Sequence, residues 1–510
     1  MKLTEVLREV EVIEVSGRTD TDMEIAGIAC DSRLVKDGFL FVAVRGQKAD
    51  GHLFIGEAVG RGARAVMCEK GSVTVRTATR IIVSGTRRAL ARAAANFHAN
   101  PSKSIGLVGI TGTNGKTTVN HLVYNILVSA GLPSGMIGTI EYRIGDEVIA
   151  AERTTPDPLV VNSLIARMRA KGCRYVVMEV SSHSLDQHRV GALDFDVAVF
   201  TNLSRDHLDY HKTKKNYLQA KALLFESLSP EEKNGFPRRG VICTDQSAGR
   251  YIAGRTPVPV LTYGLSGGAD VTAEDVRLHR SGSSFTARTP WGSLGIESCL
   301  LGRHNVCNIL AAVAVGLCQG VEAGTIQRAV RNTPPIPGRL EFIPNGRGYT
   351  VVVDYAHTED ALRNVLESLR KITRGKLIVV FGCGGDRDRG KRSKMAVVSS
   401  KLADFVVVTS DNPRSEEPME IISEIVRGFR GRACEVGKGS FTIEPDRREA
   451  IAAAISMARD GDTVLIAGKG HETYQEFNGY RVDFDDRKVA REVIESAREE
   501  MRGSVRRSFA

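Results

Sequence analysis

The 510-residue sequence has few aromatics, 6% of the chain with one Trp. Rings for stacking bases are scarce, and the formal charge of +10 is spread along the chain instead of gathered in one block. Both features count against a nucleic-acid partner and favour anionic small molecules. No apolar run approaches the roughly 20 residues needed to span a bilayer. The start, Met1-Lys2-Leu3-Thr4-Glu5-Val6, carries an early acid and no apolar core, so neither secretion nor membrane insertion is expected. The nine cysteines include no Cys-x-x-Cys pair. Their odd, dispersed count predicts reduced thiols in a cytoplasmic protein, not disulfides or zinc. With 42% hydrophobic and 25% charged residues the composition is that of a globular protein, and the length suits about three domains.

One stretch organises the rest. The apolar run Ile105–Ile110 reads as a buried strand, and Val119, Leu122, Val123, Ile126 and Leu127 recur at helical spacing. Gly131 and Pro133 then mark the helix end. Between strand and helix lie Gly112, Thr113, Asn114, Gly115, Lys116, Thr117 and Thr118. Such a loop turns backbone N–H groups onto an anion, and the helix N-terminus adds partial positive charge. Lys116 is placed to reach terminal phosphates, and the Thr117 hydroxyl to hold Mg²⁺. The general phosphate-loop pattern wants a further glycine where this chain has Ile110. A Gly-rich turn without a ligand is the alternative.

The predicted architecture is α/β in three domains: residues 1–100, 101–336 and 337–510. Ala89–His98 reads as a helix stopped by Asn100-Pro101, and Pro334–Gly338 marks the second boundary. Strands Arg174–Val180 and Asp196–Thr201 end in polar residues, where an open α/β sheet places ligands. Val271–Leu300 alternates as antiparallel hairpins would, and Thr213–Leu228 reads as a helix. The last segment repeats strand–helix alternation, with strands at Thr350–Asp354, Lys376–Phe381, Phe405–Thr409 and Thr463–Ala467. Arg502–Arg507 reads as a frayed basic terminus. Gly382–Arg387 looks like a dinucleotide loop but lacks its third glycine, which excludes a nicotinamide site.

Several groups can carry chemistry. Glu179, His207 and Thr117 suit a metal beside phosphates, although His207 reads equally well as a structural histidine. His207 and His211 have zinc-helix spacing without the required Glu. Lys221, by itself, reads as a solvated helix lysine. Asp354–His357, Asp411–Arg414 and Gly468–Glu472 are polar strand ends. Arg387, Arg414 and Glu472 read as a cradle for an amino acid, with a surface ion-pair network as the alternative.

Thr111–Thr118, Glu179–His183, Thr201–Asp209, His304-Asn305 and Gly338-Arg339 together resemble the Mur ligase family over nearly the whole chain. The resemblance implies a UDP-binding α/β domain, a central phosphate-loop domain binding ATP, and a Rossmann-like domain that brings the incoming amino acid. It implies that Ser32 and Arg33 hold the UDP moiety. Thr154, Thr155, Ser181, Gln187 and Arg189 would hold the muramoyl peptide, and Asn305, Arg339, Asp354 and His357 the nucleotide. Lys221 matches a lysine that the family carries as a carbamate; of two implied Mg²⁺ ions, Thr117 would hold one and Glu179, His207 and carbamylated Lys221 the other. Asp411-Asn412-Pro413-Arg414 resembles the motif selecting meso-diaminopimelate, with Arg387, Gly468 and Glu472 completing that pocket. The implied activity is ATP-driven amide formation on UDP-N-acetylmuramoyl-L-Ala-D-Glu in peptidoglycan synthesis, with Lys116 and Mg²⁺ offsetting phosphate charge. A monomer is expected. A small-molecule kinase would instead release phosphorylated substrate, and an ATP-dependent binding protein would not turn over.

Overall fold

Strand Gly106–Thr111 lies inside an eleven-stranded sheet, flanked by Tyr175–Glu179 on one side and Val197–Phe200 on the other, all parallel. The computed structural model describes residues 1–17, 20–46, 49–71, 77–233, 235–429 and 440–508. These three strands are short apolar runs buried on both faces, as parallel sheets require. Alternate residues serve different layers. Val108, Ile110, Val177 and Val199 pack with helices Lys116–Ser129 and Arg303–Cys318. Leu107, Val176, Met178 and Phe200 pack with Pro158–Ala170 and Lys214–Glu226 on the other face. Glu179 is level with Ile110, and Phe200 with Thr111, so three strand ends and their loops meet at one edge. Gly131 follows the helix with φ +71°, a left-handed stop that suits glycine. Val271–His279, Gly282–Thr289 and Gly292–Ser298 form the antiparallel extension that alternation predicts.

A five-stranded sheet precedes this one, in the order Val12–Gly17, Thr79–Val83, Ala65–Glu69, Phe39–Val42, Gly27–Ala29. A six-stranded sheet follows, parallel except for Glu341–Ile343 at its edge. The hairpin Tyr474–Phe477 and Tyr480–Asp483 caps it. Helix Asp486–Ser508 corrects the expected frayed end: Val489, Ala490 and Ile494 bury against the last sheet, and the backbone stays helical through Arg502–Arg507. Among the described residues, no helix is long and apolar enough to cross a membrane.

Glu416 anchors a loop of the last sheet. It accepts from Arg392 at 2.8 and 2.9 Å and from the Asp386 amide at 2.7 Å. The Arg392 hydrogen bonds, against the opposing effect of burial, hold its pKa down at about 2, from an ordinary 4.5. A depressed carboxylate stabilises the fold fully above 4.5, and that contribution is lost as pH falls toward 2. Urea unfolding at about pH 7 and about pH 3 should therefore show a smaller acid loss in Glu416→Gln than in the parent. Equal losses would remove Glu416 from the acid response.

Candidate functional site

The loop after Gly106–Thr111 is built around close approaches. A side chain on Gly112 would collide with the Thr201 hydroxyl, and one on Gly115 with the Asn308 carboxamide. Gly115 also has φ +86°. Asn202 and Thr201 tie the loop down: the Asn114 amide donates to Asn202 Oδ1 at 2.9 Å, and Thr201 Oγ1 donates to Asn114 O at 2.6 Å. Lys116 Nζ folds back to Gly112 O and Thr113 O at 3.0 and 2.8 Å. The ammonium thus sits over the loop mouth, and burial lowers its pKa.

Glu179 is 1% exposed and surrounded by hydroxyl groups. Its Oε2 accepts from Thr117 Oγ1 at 3.1 Å and Thr139 Oγ1 at 2.9 Å, while Oε1 accepts from the Thr139 amide at 2.8 Å. Thr139 Oγ1 also meets Thr154 Oγ1 at 3.1 Å. Thr155 Oγ1 donates to Glu179 O and accepts from the Ser181 amide. Arg189 donates to Thr155 O at 2.9 Å and to Gln187 Oε1 at 2.8 Å. Thr154, Thr155, Ser181, Gln187 and Arg189 therefore form one wall beside Glu179. Replacing Thr139 by Val removes one of the three donors to this carboxylate, the hydroxyl, while the Thr139 amide and the Thr117 hydroxyl remain. A drop in turnover of about tenfold is expected, read by steady-state kinetics. An unchanged rate would make Thr139 dispensable.

Lys221 corrects the solvated-lysine reading. It is 1% exposed, donates to Gly112 O at 2.8 Å, and lies 4.3 Å from the Tyr217 ring centre. Burial first, and then Lys116, push its pKa well below the ordinary amine range. Tyr217 and Lys221 are four apart on helix Lys214–Glu226, and that face turns inward. His207 has φ +54° and packs edge-on against His183, with ring centres 4.7 Å apart. Burial drives its pKa to about 3 although Asp206 opposes this, so the imidazole is neutral. Asp206 faces His207 Nε2 at 3.4 Å and His357 Nε2 at 3.8 Å.

The last sheet reaches this site. Arg339 Nη2 donates to Thr117 Oγ1 at 3.1 Å, and Asn114 Nδ2 to Asp360 Oδ2 at 3.0 Å. Arg205 pairs with Asp388 through two bonds of 3.1 and 3.2 Å. Asp354 accepts the Leu340 and Ala356 amides at 2.7 Å each, which fixes the turn bearing Arg339. Asn305 Oδ1 accepts from the Asn308 side-chain Nδ2 at 3.0 Å. Among the described residues, Arg339 Nε and His304 Nδ1 are buried without a hydrogen-bond partner.

A second cluster lies at the ends of Phe405–Val408 and Thr463–Ala467. Asn412 Nδ2 donates to Glu472 Oε2 at 2.8 Å, and Lys469 Nζ donates to Asn412 Oδ1 and Glu472 Oε2 at 3.0 Å each. Lys469 is fully buried. Arg414, at φ +55°, donates to Gly385 O at 2.8 Å and meets Glu476 at 3.2 Å. A side chain on Gly468 would press on the Asp411 carboxylate at 2.6 Å. Burial opposes ionisation of Asp411, but Lys469, Arg447 and Arg414 hold its pKa below the ordinary value. The cluster is buried at Asp411, Asn412 and Lys469 and half-buried at Arg414 and Glu472. Arg387 stays outside it, exposed and bonded to Asp386 O.

Three family matches follow the chain: Mur ligase family, catalytic domain over residues 24–98; Mur ligase middle domain over 110–316; and Mur ligase, glutamate ligase domain over 338–470. The UDP-N-acetylmuramoyl-L-alanyl-D-glutamate–2,6-diaminopimelate ligase of Syntrophomonas wolfei is 44% identical over 97% of this chain and 99% of its own. The chain belongs to the Mur ligase family.

The ligase of the same name from Geobacter metallireducens is 45% identical, over 96% of this chain and 97% of its own. A solved structure of a ligase of that name is 32% identical, covers 98% of this chain and 99% of its own, and superposes with a TM-score of 0.68. In this Mur ligase the loop, Glu179 and Lys221 converge. Ser32 and Arg33 lie apart in the first sheet's region: Ser32 donates to Glu57 at 2.9 Å, and Arg33 pairs with Asp31. Sequence reasoning missed Thr139, Asn202, Asp206, Asn308 and Lys469 as members of these clusters. Asn202, Asp206 and Lys469 stand inside the very motifs singled out. Thr139 has no local signal, because a separate turn carries it to Glu179.

Proposed function

We propose that this Mur ligase adds meso-diaminopimelate to UDP-N-acetylmuramoyl-L-Ala-D-Glu at the expense of ATP. The observation that carries the reading is the partly buried cluster of Asn412, Glu472 and Arg414, in a chain that matches ligases of this name over nearly its full length. The γ-carboxylate oxygen of D-glutamate attacks the γ-phosphorus of ATP, the bond to the bridging oxygen breaks, and ADP leaves. The diaminopimelate amine then attacks the acyl phosphate carbonyl, loses a proton, and expels inorganic phosphate. Phosphorylation supplies a leaving group that a bare carboxylate lacks.

The protein's part is positioning and charge neutralisation. Gly112–Thr118, with Asn305, Arg339, Asp354 and His357, holds the nucleotide, and the unpartnered Arg339 Nε is a donor for its phosphates. Lys116 offsets phosphoryl charge. Thr154, Thr155, Ser181, Gln187 and Arg189 hold the muramoyl peptide, and Ser32 and Arg33 its UDP end. Arg414 grips the distal carboxylate of diaminopimelate, Glu472 its distal ammonium, and Asp411, Asn412 and Gly468 shape the pocket. Arg387 joins them only by moving from its present place.

The donors suit Mg²⁺: the Thr117 hydroxyl and Glu179 carboxylate lie 3.1 Å apart, and neutral His207 adds a nitrogen. Bound there, Mg²⁺ would neutralise phosphate oxygens. Lys221 fits carbamylation, since a buried neutral amine can bond to CO₂ carbon, lose a proton, and become an anionic oxygen donor. One large sheet in each of the three segments supports domain boundaries at 100/101 and 336/337. On this reading the chain acts as a monomer in the cytoplasm, where ATP is available.

The test is phosphate release from ATP with the muramoyl dipeptide, comparing meso-diaminopimelate with L-lysine. Release with diaminopimelate alone is expected. Release with lysine would keep the ligase and overturn the cradle's specificity. Release with neither would overturn the reaction.

A further inference from the structure

The thiols of Cys243 and Cys307, 64 residues apart in sequence, lie with their sulfurs 3.8 Å apart. Asp245 completes a cluster whose donor atoms all fall within 4.8 Å of one another. Cys243 ends strand Arg239–Cys243, and Cys307 lies in the second turn of helix Arg303–Cys318. Cys243 is buried, Cys307 half-buried, and Asp245 exposed, so the cluster opens to solvent on its carboxylate side. We propose that Cys243, Cys307 and Asp245 form a binding site for a thiophilic divalent cation of the zinc class, separate from the Thr117–Glu179 site.

The geometry supports a tetrahedral ion. Two thiolates at a zinc–sulfur distance of about 2.3 Å stand about 3.8 Å apart. The carboxylate is already oriented as ligating carboxylates are, by outer hydrogen bonds. The Leu265 amide donates to both of its oxygens at 3.0 Å, and the Ser266 amide and hydroxyl donate to Oδ1. A side chain on Gly264 would collide with that carboxylate, so glycine there keeps its place open. Water fills the fourth position. Binding expels one proton from each thiol, so affinity rises with pH. The ion would brace the strand against the helix that packs Asn308 on Gly115, and so stiffen the nucleotide end of the sheet.

The probe is Cd²⁺ alone, titrated into the reduced full-length chain and followed by the thiolate-to-metal absorption band. One equivalent should bind with that band. Cys243→Ser and Cys307→Ser should each abolish it, while Cys299→Ser, whose thiol bonds Thr333 O, should leave it unchanged. Asp245→Asn, at an exposed position that does not threaten the core, should weaken binding by about tenfold or more. Zn²⁺ should also raise the melting temperature of the parent but not of Asp245→Asn to the same extent. No band, or a band that survives loss of both thiols, would overturn the site. So would two thiols lost to mild oxidation and restored by a dithiol, with no metal bound, since the pair would then be a disulfide couple.

Discussion

Lys221→Ala should lose turnover by about 10³-fold, the scale on which a single electrostatic contributor to phosphoryl or acyl transfer acts. Added formate or acetate should restore part of it, because a small carboxylate can occupy the space left by a carbamate. Lys221 is fully enclosed, close to Gly112 O and the Tyr217 ring, with Lys116 beside it. Two ammonium groups on one carbonyl repel, and desolvation adds to the cost; both favour a neutral Lys221. Alanine leaves a cavity but no unpaired charge, so the fold should persist, and circular dichroism would verify it. Activity unaffected by the substitution would end the carbamate reading. Activity lost without carboxylate rescue would leave Lys221 as a structural lysine.

Arg414→Ala should raise KM for diaminopimelate about 10²-fold, since it removes the half-buried guanidinium proposed to grip the distal carboxylate, with KM for ATP nearly unchanged. The Arg414 backbone pairs with the hairpin, its amide donating to Glu476 O at 2.9 Å, and its side chain is aimed by Gly385 O and Glu476. The guanidinium is therefore held in place before any amino acid arrives. L-lysine has no distal carboxylate and would leave the arginine without its ligand, a strong basis for rejection. The comparison needs both substrates: a small, equal change in both KM values would take Arg414 out of the pocket.

The two sites differ in how much of them can be read along the chain. The phosphate loop is legible because its chemistry is contiguous: strand, glycines, Lys116, Thr117 and helix follow one another, and local sterics dictate the turn. Glu179 and His207 were legible as strand-end residues, but not their convergence. That depends on Gly106–Thr111 lying between Tyr175–Glu179 and Val197–Phe200, an order set by long crossovers. Lys221 by itself reads as solvated because a single lysine among alanines and leucines gives no contiguous sign of burial, and only the family resemblance assigns it a role. The inward face shared by Tyr217, Lys221 and Leu224 was the available signal.

The sequence by itself determined the α/β class, the parallel strands, the antiparallel extension and the anion-binding loop, since each rests on periodicity or on turn chemistry within a few residues. Tertiary structure alone decided that Thr139 serves Glu179, that Asn308 packs on Gly115, that Lys469 fixes Asn412 and Glu472, and that Cys243 meets Cys307. Each of these contacts joins segments from separate elements, and only the packing of helices and hairpins onto the sheets sets such distances.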